Sequence, residues 1–148
     1  LGELIVVSAC LAGIPCAYDG RAHTDFEVKE IVSKGKAIPL CPEILGGLSV
    51  PREKAEIFGG EGKDVILRKA KVLTESGKDV SSHFLKGAEI VLRMVKSLKI
   101  RKAILKSYSP SCGYGEIFDG TFKGRVREGN GVLAEMLAQE GVEIWVKK

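Results

Sequence analysis

Three short apolar runs in this chain each end at or close to a cysteine. Leu4-Ile5-Val6-Val7-Ser8-Ala9 runs into Cys10, Ala37-Ile38-Pro39-Leu40 runs into Cys41, and Ala103-Ile104-Leu105 gives way to a polar loop, Lys106 to Gly113, that carries Cys112. Runs that are apolar at consecutive rather than alternate positions read as strands buried on both faces, the habit of parallel sheets covered by helices. In an open parallel sheet the carboxyl ends share one rim, and ligands bind there where the strand order reverses. The three runs therefore predict both a fold and a meeting place for thiols that are distant in sequence.

The segments between the runs supply the helices. Thr24-Asp25-Phe26-Glu27 is a capping-box pattern that opens a helix to about Ser33, closed by Gly35. Val80, Phe84, Ala88, Val91, Leu92, Val95 and Leu98 recur at three- and four-residue steps, predicting a helix over Ser81 to Leu98. Val65-Ile66-Leu67-Arg68 and Lys71-Val72-Leu73-Thr74, bounded by Gly-rich or charged turns, read as an inserted antiparallel hairpin. A helix near Gly131 to Gln139 and a strand over Val142 to Val146 complete the chain. The expectation is an α/β fold, a Rossmann-like three-layer sandwich with a mainly parallel sheet and an inserted β-hairpin, forming one domain over residues 1–148.

Charge and hydropathy narrow the partners. The 23 basic and 19 acidic residues leave a net charge of +4, scattered along the chain, which does not announce a nucleic-acid binder and does not exclude one. No apolar run approaches the ~20 residues of a membrane span, and the N-terminus lacks a basic segment followed by a long apolar core, so a cytoplasmic protein without membrane contact is expected. In that compartment the four thiols, Cys10, Cys16, Cys41 and Cys112, serve metal binding or catalysis better than disulfides. There is no C-x-x-C pair, and zinc-ribbon and ferredoxin spacings are absent. Cys10, Cys41 and Cys112 are the candidate ligands by their common rim; Cys16 sits in a free loop, and inert burial is the competing reading for each. Ser109 and Ser111 are candidates either for chemistry or for turn formation through the local backbone. Gly46-Gly47 and Gly59-Gly60 follow no phosphate-loop spacing and read as tight turns, with no nucleotide cofactor expected. His23 and His83 stand apart from the cysteines in sequence and read as surface or capping residues.

Five stretches resemble one bacterial family. They are S-A-C-L-x-G-x-x-C-x-Y-D-G over Ser8–Gly20, C-P-E-x-x-G-G-L over Cys41–Leu48, P-R-x-x-A-E over Pro51–Glu56, K-x-x-S-P-S-C-G over Lys106–Gly113 and F-D-G-T-F-x-G over Phe118–Gly124. In this order they are similar to the thiouracil desulfurase family, catalogued as domain of unknown function 523. The resemblance implies a [4Fe-4S] cluster held by three cysteines, with a free iron that binds the sulfur of a thiolated pyrimidine, and a non-redox desulfuration that releases sulfide. It also implies that Glu43 is the base that deprotonates water and that Ser109 orients that water, while three of the four cysteines hold the cluster. Cys10, Cys41 and Cys112 are the expected set, and Cys16 is the thiol that could replace one of them. Tyr18-Asp19 and Asp119-Gly120-Thr121 are expected to brace the cluster loops. Three positions depart from the family pattern: Ala12 replaces Leu, Ala17 replaces Arg and Lys54 replaces Pro. Losing the planar donor fork of an arginine puts the substrate, not the reaction class, in question. Two other classes fit the residues, a non-catalytic iron-sulfur or metal-binding module acting as sensor or carrier, and a ligand-binding Rossmann-like domain with inert cysteines.

Overall fold

In the computed structural model, which describes residues 3–148, the chain runs β1 (Ile5–Ser8), a 3-10 turn (Ala9–Ala12), α1 (Phe26–Ser33), β2 (Ala37–Leu40), α2 (Pro42–Leu45), β3 (Ala55–Phe58), α3 (Gly62–Ile66), β4 (Lys71–Thr74), α4 (Ser81–Leu98), β5 (Lys102–Lys106), β6 (Glu116–Phe118), β7 (Val126–Glu128), α5 (Val132–Gln139) and β8 (Glu143–Lys147). Four strands form a parallel sheet in the order β2-β1-β5-β8, with Val6 opposite Ile38 on one side and Ala103 on the other. Strand order reverses between β1 and β5, so the loops after these two strands flank the crevice where such sheets bind ligands.

Alternation along the strands sorts side chains between two layers. Val6, Ala103 and Leu105 point into a core shared with Phe84, Val91 and Val95 of α4 and with Leu133 and Leu137 of α5. Val7 and the partly buried Ile104 point the other way, toward Val28 of α1. Each fully buried aliphatic or aromatic side chain contributes about 1.5–3 kcal/mol relative to exposure. That makes α4, whose buried residues recur along one face, the main clamp on the sheet.

The predicted spans of α4 and β2 match the structure, and the run Ala103–Leu105 lies within β5. At α1 the cap is Asp25, whose side chain accepts from the Val28 amide at 3.0 Å. The inserted antiparallel hairpin is present, but its first strand is β3, paired with β4 from Ala55 opposite Thr74 to Phe58 opposite Lys71. Residues 65–68, expected as that strand, instead end the short helix α3 and the turn after it. Asp64 accepts from the amide of Glu61 at 2.9 Å, a local hydrogen bond that closes a helical turn in place of an extended segment. A second hairpin, β6 with β7, was not expected from the sequence; its strands are three residues each and β7 is exposed throughout, so no apolar pattern marks them.

One close packing contact sets up the rim. α2 crosses α4 at Gly46 and Gly87, where a Cβ on Gly46 would overlap the carbonyl oxygen of His83 and a Cβ on Gly87 the carbonyl oxygen of Pro42. His83 fastens the crossing with its ring Nδ1 at 2.8 Å from the Gly46 carbonyl oxygen, which is a capping role.

Candidate metal and catalytic site

Above the carboxyl ends of β1, β2 and β5 lies a cavity of about 290 Å³. All four cysteines line it, together with Glu43, Ser109 and Ser111. The topology therefore brings to one rim the groups that the sequence scattered over a hundred residues. Cys10 lies in the 3-10 turn directly after β1, Cys41 precedes α2 with Pro42 at its first helical position, and Cys112 ends the turn after β5. Cys16 is more central than its loop position suggested. It is buried and sits beside both Cys10 and Cys41, while the Cys41 thiol lies 3.9 Å from the Cys16 carbonyl oxygen.

All four thiols are free. The neighbouring Cys10 thiol, with burial, pushes the Cys16 thiol up to about 11 against the opposing pull of Cys41. The Cys16 thiol and burial raise Cys41 as well. Burial pushes Cys112 up to about 12, with the Ser8 hydroxyl acting in the opposite direction. Thiols of this kind keep their protons at neutral pH until a metal displaces them. The donor set is soft, which suits iron-sulfur or zinc chemistry and not hard cations. Among the described residues no three His, Cys, Asp or Glu side chains close on a point the size of one ion. Thiols spread around a cavity fit a polynuclear group better than a single ion.

Glu43 is held from both sides. Its Oε1 accepts from Arg52 Nε at 3.0 Å and forms an ion pair with Arg52 Nη2 at 3.0 Å, and its Oε2 accepts from the Ser111 hydroxyl at 2.7 Å. An ionised carboxylate oxygen offers two acceptor sites, so Oε2, with Ser111 on one, keeps the other open. The Arg52 side chain is 9% exposed, and it also donates to the carbonyl oxygens of Cys16 at 2.9 Å and Ser49 at 3.1 Å. Its backbone amide donates to the Tyr18 carbonyl oxygen at 2.8 Å. One side chain thus joins three of the five motif stretches.

Ser109 accepts from the Cys112 amide at 2.7 Å, and its hydroxyl lies 3.3 Å from that of Ser111. Ser111 lies 3.7 Å from the Cys112 sulfur, so its single proton goes to the much closer carboxylate. The hydroxyls form a line, Ser109 to Ser111 to Glu43. The sequence placed Ser109 next to the chemistry, whereas the residue touching Glu43 is Ser111. Arg52 was visible only as a motif letter; a single arginine in a Pro/Gly loop has no spacing that marks it as buried. Ser8 was equally silent, a polar residue in an apolar run whose hydroxyl accepts from the Lys106 amide at 2.9 Å and ties the two central strands.

The loop at Asp119 has a bracing role. Asp119 accepts from the amide and hydroxyl of Thr121 at 3.0 and 2.6 Å. The buried Glu56 Oε1 accepts from the amides of Gly120 at 2.9 Å and Phe122 at 3.1 Å. This fixes Phe118 in the cavity wall beside Tyr108, with ring centroids 5.7 Å apart and planes at 51°. No helix among the described residues is long and apolar enough to cross a membrane.

Comparison with known proteins places the arrangement. A family model described as 2-thiouracil desulfurase matches residues 5–148. The uncharacterized protein YbbK of Bacillus subtilis strain 168 is 45% identical over 141 residues, covering 95% of this chain and 93% of its own. A solved structure of the [4Fe-4S]-dependent thiouracil desulfidase TudS superposes with a TM-score of 0.86 at 38% identity, covering 99% of this chain and 91% of the other.

Proposed function

Since the chain belongs to the 2-thiouracil desulfurase family, we propose that it is a [4Fe-4S]-dependent enzyme that removes sulfur from a thiolated pyrimidine such as thiouracil and releases sulfide. The observation that carries this reading is the convergence of four free thiols and one anchored carboxylate on a single cavity. Cys10, Cys41 and Cys112 hold the cluster, and Cys16, between two of them, is the thiol able to stand in. When bound, such a cluster supplies a soft Lewis acid suited to a thiocarbonyl sulfur.

The protein's own groups manage the water. Glu43 Oε2 takes a proton from water at its open acceptor site while Arg52 and Ser111 keep the carboxylate aimed. Ser109 orients the water through the hydroxyl line. The water oxygen bonds to the ring carbon, the carbon–sulfur bond breaks, and sulfur leaves as sulfide with no net electron transfer. The Tyr108 and Phe118 rings offer a flat apolar wall to the heterocycle.

Anaerobic preparation and assay with 2-thiouracil test the proposal. The parent protein should be brown, contain iron and release sulfide. Glu43→Gln should keep its iron and lose turnover by about 10²–10⁴-fold, as general-base loss does. Cys112→Ala should bleach. An iron-loaded parent that releases no sulfide from any thiouracil would make the protein a binding module instead.

A further inference from the structure

Lys54 has donors that the fold does not use. Its position is fixed from the backbone, since its carbonyl oxygen accepts from the Glu75 amide at 3.0 Å. Its side chain is 29% exposed and lines the same cavity as the thiols. Its Nζ lies 4.8 Å from the centroid of the Phe118 ring and 3.8 Å from Glu56 Oε2. The second distance is beyond hydrogen-bond reach, and Glu56 Oε2 is buried with no hydrogen-bond partner among the described residues. A buried carboxylate oxygen without a donor is costly unless a cation stays near it. Glu56 therefore keeps the Lys54 ammonium against the aromatic wall by charge alone, and all three N–H groups remain free to donate.

Arg52, by contrast, commits three of its five donors to Glu43 and two carbonyls and is held there nearly buried. A cation held on an aromatic face, with unspent donors, at the edge of a cavity fit for a flat heterocycle, is a site for an oxygen acceptor on that heterocycle's rim. We propose that Lys54 binds an exocyclic carbonyl oxygen of the substrate, so that the enzyme selects thiolated pyrimidines that carry a second, oxygen-bearing ring carbon over those that carry sulfur alone. The inference rests on the desulfuration reading above and adds its specificity determinant. Lys54 donates to that carbonyl oxygen, Tyr108 and Phe118 take the ring face, and the sulfur-bearing edge is left to the thiol side of the cavity.

The test compares 2-thiouracil with 2-thiopyrimidine, which has the same ring skeleton and sulfur but no carbonyl oxygen. Discrimination is read as the ratio of kcat/KM values, or of competitive inhibition constants where one compound is not turned over. In Lys54→Met the ratio should fall by roughly 10–100-fold, mostly through loss of 2-thiouracil. Lys54→Gln, which keeps a neutral donor, should fall between. Because Lys54→Met strands Glu56 Oε2, the pair Lys54→Met/Glu56→Gln is measured alongside, and its ratio should fall equally. Equal losses for both compounds in every variant, or an unchanged ratio, overturn the specificity role and leave Lys54 as a counter-charge. A parent that releases no sulfide from 2-thiouracil overturns the desulfuration reading itself, and this inference with it.

Discussion

Gly46, at the C-terminal cap of α2, and Gly87 of α4 meet backbone against backbone, and that contact carries Glu43 into the cavity. The helix that presents the carboxylate is only four residues long and cannot hold its own orientation, so the crossing with α4 sets it. Gly87→Ala should therefore do more than an exposed helical substitution, where alanine would be favoured. The new Cβ meets the Pro42 carbonyl, and overpacking of this kind costs about 1–3 kcal/mol. Urea unfolding should show the loss, and turnover should fall because Pro42 adjoins Glu43.

The two serines should separate by phenotype. Ser111→Ala removes the 2.7 Å donor to Glu43 and should lower kcat about 10–100-fold with iron content unchanged. Ser109→Ala removes the acceptor of the Cys112 amide, so it should slow turnover and also shorten cluster lifetime in air. Iron retention over time distinguishes them. Equal retention in both variants would remove Ser109 from any part in holding the Cys112 loop.

How far the site could be read from sequence follows from the range of each signal. The consecutive apolar runs were enough for β1, β2 and β5, because burial on both faces leaves a local trace, and sheet topology then delivered the rim. The place of Cys16 beside Cys10 and Cys41 has no local trace, since its loop position says nothing of Ile14, whose carbonyl accepts from the Cys16 amide at 2.8 Å and turns the chain back toward Cys10. Arg52 and Ser111 act on Glu43 across 9 and 68 residues, and contacts of that kind depend on loop conformation that no periodicity encodes. The misplacement of the hairpin strand has the same cause in reverse. Val65 and Ile66 carry high strand propensity, and the Glu61–Asp64 turn overrides it.

Glu56 gives a stability prediction independent of catalysis. Glu56→Ala leaves the half-buried amides of Gly120 and Phe122 without their acceptor, at a cost of about 1–3 kcal/mol. Glu56→Gln keeps an acceptor oxygen for both and should cost far less. Denaturant midpoints of the two variants should therefore differ clearly. If they coincide, Glu56 contributes through its charge beside Lys54 and not through its two backbone partners.

Asp79 supplies an acid-side test. The Ser81 hydroxyl and amide, the latter at 2.9 Å, hold its carboxyl below the usual range. A depressed carboxyl stabilises the fold above its unfolded value, and that contribution is lost as pH falls through the folded value. Solvent screening at this exposed position limits it to about 0.5 kcal/mol or less. Melting temperatures of the parent and Asp79→Asn should differ near neutrality and converge in strong acid. A constant gap across that range would mean that the charge has no part in starting α4.

The strand order has a consequence for how the enzyme is made. β1 is flanked by β2 and β5, so its second neighbour is synthesised almost a hundred residues after it. Three thiols leave the ribosome while the floor of their cavity is still absent, and the fourth arrives only with the loop that closes it. Until β5 and the loop after it are made, the chain lacks the complete rim on which a cluster would be kept. Cofactor insertion must follow completion of the sheet, and a truncated chain would carry reactive cysteines in place of a centre.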